Sequence, residues 1–139
     1  MIGRLSWAAI VIVLAGCSTT PVDPGSARAV PPERVLNPTL LSPDSERTAQ
    51  IVVSRDQGMR GSACSYIISL DNVKVMALRS SESATLHVTP GSHFLRLETT
   101  GGLCGSTVMS QNTFVAAGER QVYRAIQPSA GEAHLSRVE

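Results

Sequence analysis

Lysine occurs once in this chain, as Lys74; the other basic residues are arginines, scattered along the sequence and nearly balanced by acidic ones. Nucleic acid is recognised through a clustered positive field, so no nucleic-acid partner is expected. Aromatic residues are also scarce: outside Trp7 there are only Tyr66, Tyr123, Phe94 and Phe114, too few for an aromatic platform that stacks on sugars. No G-x-S-x-G elbow, phosphate loop, dinucleotide fingerprint or zinc-protease helix is present. Acidic residues are spread singly, so no glycosidase-like pair stands out. No catalytic residue, metal or cofactor is therefore expected, and the chain does not read as an enzyme.

Long apolar runs are nearly absent too, with one exception at the start. Arg4 is followed by an apolar stretch from Leu5 to Leu14, which is shorter than the roughly 20 residues of a permanent membrane helix and fits a secretory leader. The stretch ends in Leu14-Ala15-Gly16-Cys17, which resembles the lipobox of bacterial lipoproteins. The resemblance implies cleavage after residue 16 and lipidation of Cys17, with several acyl chains giving stable attachment where one would not. Ser18 follows the cysteine in place of the aspartate that keeps enterobacterial lipoproteins on the inner membrane, so the resemblance implies an outer-membrane anchor on the periplasmic side, with the inner membrane as the alternative. The membrane is thus one expected partner.

Residues 17–47 hold Pro21, Pro24, Pro31, Pro32, Pro38 and Pro43 among small and polar residues. Proline withholds a backbone donor and favours extended chain, so this segment is expected to be a flexible linker holding the domain away from the lipid headgroups. The apolar Leu36, Leu40 and Leu41 leave open a second reading, in which Val35 to Leu41 docks as an edge strand or short helical turn.

Residues 48–139 read as short strands between turns. Ile51-Val52-Val53 is β-branched, and Cys64, Tyr66, Ile68 and Leu70 share one parity. Asp71-Asn72 suits a two-residue hairpin returning through Val73 to Leu78, and Pro90-Gly91 fits the centre of a type II turn between Leu86-Val88 and His93-Leu95-Leu97. Val108 to Ala116, Gln121 to Ile126 and Ala133 to Val138 are the later strands. About seven to eight short strands at this spacing predict an all-β antiparallel sandwich.

Ile51-Val52-Val53-Ser54-Arg55, Gly61-Ser62, Tyr66, Leu70-Asp71, Leu78 and Val88-Thr89-Pro90-Gly91-Ser92-His93 together resemble a family of small bacterial lipoproteins of uncharacterised function, with the strand and turn rhythm of PEGA-type and carboxypeptidase-regulatory-like β modules. The likeness covers residues 49–97, with Asn72 where a glycine is usual. It implies a fold and no catalytic activity.

With Cys17 taken by lipid, Cys64 and Cys104 remain as an even pair in an oxidising compartment, so a disulfide is the default; two buried thiols or a redox or metal site are the alternatives, and no C-x-x-C spacing supports a redox centre. His87 and His93 flank the Pro90-Gly91 turn but fall on opposite faces by parity, and His134 stands alone. Arg55, Arg60 and Arg79 lie around turns, where arginine either grips an anion or is solvated or paired. The expected function is a non-enzymatic interaction or structural module with an envelope protein partner. The alternative is a ligand-binding protein, or a hydrolase, using a pocket at a loop end.

Overall fold

A computed structural model describes residues 19–139. The lipobox and Cys17 lie outside the described residues. Nine strands form: β1 (Arg28–Ala29), β2 (Ala49–Arg55), β3 (Tyr66–Leu70), β4 (Val73–Leu78), β5 (Glu82–Val88), β6 (Gly91–Thr99), β7 (Val108–Val115), β8 (Arg120–Ile126) and β9 (His134–Arg137). They make two sheets, one of five strands in the order β1-β5-β2-β8-β9 and one of four in the order β4-β3-β6-β7. The fold is an all-β sandwich. Eight strands coincide with the eight read from sequence, and β1 is additional.

Alternating apolar residues build the space between the sheets. Ile51, Val53, Leu86, Val88, Tyr123 and Ala125 point in from one sheet and meet Tyr66, Ile68, Leu70, Leu95, Leu97 and Val115 from the other, all buried. Cys64 continues the parity of β3 and is buried with it. Most pairings are antiparallel, but β2 runs parallel to β8 and β1 parallel to β5. A parallel neighbour needs a long crossover, and the chain makes one by building the whole second sheet between β2 and β8.

The β3–β4 hairpin turns on Asp71 (φ 50°) and Asn72 (φ 67°), the two positive dihedrals that a type I′ turn requires. The Pro90-Gly91 corner differs from the expected type II turn. It closes as a bend, with Gly91 at φ 133°, and the Thr89 carbonyl that would close a turn is taken by the His93 ring at 2.6 Å.

The linker expectation needs correction over its described part. Thr20 pairs with Gln57 through two backbone bonds of 2.7 and 2.9 Å, β1 extends the five-stranded sheet, and short 3-10 turns form at Pro32–Arg34 and Pro38–Leu41. Val30 is buried, and Leu36 and Asn37 both donate to the Val75 carbonyl, where a register shift distorts β4. Proline at the start of a 3-10 turn loses no needed donor, so the residues that argued against regular structure suit these turns. The segment is a strap that covers the free edges of β4 and β5.

Strand direction gives the sandwich two distinct ends. The loops 56–65, 79–81, 100–107 and 127–133 gather where β2, β4, β6 and β8 finish; we call this the disulfide end. The Asp71-Asn72 hairpin, the Pro90-Gly91 bend and the 116–119 turn lie at the other, the hairpin end.

Candidate functional site

At the hairpin end, Asp71 ties the β3–β4 turn to β6. Its carboxylate accepts from the Phe94 amide at 2.8 Å and faces His93 Nδ1 at 2.7 Å, while its own amide donates to the Phe94 carbonyl. His93 is 9% exposed, and its two ring nitrogens lie against the Asp71 carboxylate and the Thr89 carbonyl. Beside this pair lies a cleft of about 310 Å³ between the strap and the hairpin, lined by Leu40, Arg47, Leu70, Val73 and Val88 among others. Arg47 contributes a buried Nε without a partner, while its Nη2 is held by Asp44 and the Ser42 carbonyl.

The other histidines stand apart. His87 sits on the outward face of β5, between the inward Leu86 and Val88, and the exposed His134 lies at the start of β9. Among the described residues no three His, Cys, Asp or Glu side chains gather as a metal site.

At the disulfide end Cys64 and Cys104 are bonded, with their Cα atoms 5.6 Å apart. Arg55 is neither solvated nor paired with a carboxylate. It is 2% exposed, donates to the carbonyls of Cys64, Leu78 (3.2 Å) and Gly61 (2.5 Å), and lies 3.7 Å over the Tyr66 ring. Burial pulls its guanidinium below the ordinary value and pushes the Tyr66 phenol above its own. Arg55 therefore fixes the 57–64 loop through three backbone carbonyls. Arg60 caps the Ser129 carbonyl, and Arg79 reaches Ser65 Oγ at 3.2 Å; both are exposed.

Sequence reasoning missed two buried pairs and one polar network. Arg124 holds Asp56 through two contacts of 2.9 and 2.5 Å, and Arg34 holds Glu82 across the strap. Between the sheets, the Tyr123 hydroxyl donates to Thr113 Oγ1 at 2.7 Å, which donates to Gln121 Oε1 at 2.6 Å. Each joins residues far apart in the chain or in different sheets, so no local spacing announces them.

One surface feature was readable. No charged residue occurs between Glu98 and Glu119, and this run contains β7, the outer strand of its sheet. Phe94 turns its backbone groups toward Asp71 and β3, so its counterpart Asn112 turns its own away from β6. Val108, Ser110 and Phe114 share that parity. The Phe114 carbonyl is met by Gln121 Nε2 at 2.7 Å, but among the described residues the outward groups of Val108, Ser110 and Asn112 have no backbone partner. Phe114 (65% exposed) and Val108 (59%) stand at the two ends of this edge.

No protein-family model, curated protein or solved structure matches this chain.

Proposed function

We propose that this chain is a lipid-anchored envelope lipoprotein whose sandwich is a non-enzymatic interaction module of the PEGA-like kind, and that its partner adds a strand to β7. The carrying observation is the unequal treatment of the sheet edges. The strap covers β4 and β5, whereas β7 runs eight residues without charge, proline or register shift. Soluble proteins ordinarily guard such an edge with charge, proline or bulges, and an unguarded one accepts another strand. The lipobox at Cys17 supports the anchor, and Ser18 supports the outer membrane.

The test is crosslinking capture from intact envelopes. Wild type is expected to recover a reproducible protein partner, and Ser110→Lys with Asn112→Lys is expected to lose it while folding and membrane attachment stay normal. Retained capture in that variant counts against the edge. Cys17→Ser is expected to abolish palmitate labelling, and labelling that persists removes the anchor.

The ligand-binding reading has one observation in its favour, the unpartnered Nε of Arg47 beside the hairpin-end cleft. Capture that survives the edge variant but fails in Arg47→Ala favours it.

A further inference from the structure

We infer that the disulfide end of the sandwich rests on the lipid surface itself, with Met59 and Leu103 seated in the headgroup layer, so that the strands stand upright on the membrane. This rests on the lipidation of Cys17 proposed above.

The path of the chain sets the orientation. Thr20 is bonded to Gln57 in both directions, and Thr19 packs on the next residue, where a Cβ added to Gly58 would come within 3.1 Å of Thr19 Cγ2. Both contacts are at the disulfide end. Cys17 is two residues before Thr19, and two residues of extended chain reach at most about 7 Å. Acyl chains on Cys17 must therefore enter the bilayer beside the 56–62 loop, and the strap cannot act as a spacer because it runs from that point back over the sandwich.

The surface at this end suits the placement. Leu103 (108% exposed) and Met59 (89%) are the two most exposed large apolar side chains among the described residues, and neither is needed by the core. Leu103 sits beside Cys104, and the disulfide ties its loop to the one carrying Met59. Arg60 and Leu103 line one shallow depression. Arg60 and Glu132 line one depression at this end and Arg28 and Asp23 another, with exposed Arg79 beside them, so the charges nearly balance and apolar insertion close to a fixed anchor is the main contact the end offers. A protein partner for the same patch would have to fit within the short distance allowed by Cys17. Upright strands present β7 sideways and turn the hairpin-end cleft away from the bilayer.

Trp7 is the sole tryptophan and leaves with the leader, so one introduced tryptophan is a unique reporter. Mature lipidated Met59→Trp, Leu103→Trp and Ala117→Trp proteins would each be reconstituted into phosphatidylethanolamine and phosphatidylglycerol vesicles with brominated acyl chains. Emission at 59 and 103 is expected to be quenched about twofold or more, as for side chains at the headgroup boundary, and emission at 117 in the hairpin-end turn to be unaffected. Equal quenching at all three sites, or none at 59 and 103 in protein that floats with the vesicles, overturns the orientation while leaving the anchor intact. Wild type that takes no palmitate label and does not float removes the anchor and the orientation together. Hydrogen exchange of unsubstituted lipoprotein guards against a reporter that perturbs its loop. Amides of 57–63 and 101–106 are expected to slow in vesicles relative to soluble protein lacking residues 1–17, and unchanged exchange there overturns the proposal.

Discussion

Arg34 and Glu82 lie 48 positions apart and meet as a two-point ion pair, with Nη1 to Oε2 at 2.7 Å. The same Nη1 donates to the Ala77 carbonyl at 2.9 Å, so one strap residue grips β4 of one sheet and β5 of the other. Only 4% of the Glu82 side chain is exposed. Burial raises its pKa, but the Arg34 fork and the Arg79 amide together outweigh burial and hold the carboxyl below its ordinary value.

Removing Arg34 leaves a buried carboxylate without its partner, a change that costs about 3 kcal/mol or more. Arg34→Ala should therefore lower the urea midpoint strongly and expose 19–47 to limited proteolysis. Arg34→Met with Glu82→Gln should recover part of the loss. If Arg34→Ala unfolds like wild type, the strap is not a stabilising element.

The same pair sets an acid limit. Glu82 has a folded pKa below its unfolded one, so its contribution is complete above the ordinary glutamate value and disappears as pH falls through the lower folded value. Denaturation followed from pH 6 downward should show this loss, and Glu82→Gln should remove that part of the slope while lowering stability at neutral pH. An unchanged slope in the variant would assign acid sensitivity elsewhere.

The disulfide closes a 40-residue separation. In the chain-entropy description a loop of this size contributes about 4 kcal/mol, which for a domain near 100 residues corresponds to a fall in Tm of about 20 °C. Replacing Cys64 and Cys104 with serine should show that fall by calorimetry. Non-reducing mass mapping should find the two joined, and free thiols in oxidised folded protein would contradict the fold at this end.

Arg55 gives a more local outcome. Arg55→Met strands three carbonyls, and unsatisfied buried polar groups cost about 1–3 kcal/mol each, discounted where water can enter. Hydrogen exchange should speed up in 57–64 before the strands loosen. Arg55→Lys keeps the charge without the planar fork and should rescue little. Full rescue by lysine would mean that charge, not geometry, holds the loop.

Gly91 separates backbone strain from crowding. An added Cβ there meets nothing within 4 Å, so any loss in Gly91→Ala comes from holding φ at 133°. That loss should be about 1–3 kcal/mol, read as a shift in denaturant midpoint at unchanged m-value. A neutral outcome would show that the corner relaxes to negative φ.

Eight strands, the inward parity of Cys64 to Leu70 and the positive φ of Asp71 and Asn72 followed from the sequence alone, because period-two patterning and turn chemistry act between near neighbours. The cysteine pair followed from an even count and the expectation of an oxidising compartment, but its closeness did not. The parallel β2–β8 pairing, the strap, the Arg34–Glu82 and Asp56–Arg124 pairs and the Thr113–Gln121–Tyr123 network were decided only by tertiary structure. Each depends on which distant segments become adjacent, and loop closure entropy varies too slowly with length to single out one partner. Prolines in the strap mark where a regular strand cannot run; whether such a segment floats or docks is set by the edge it finds, here β4 and β5.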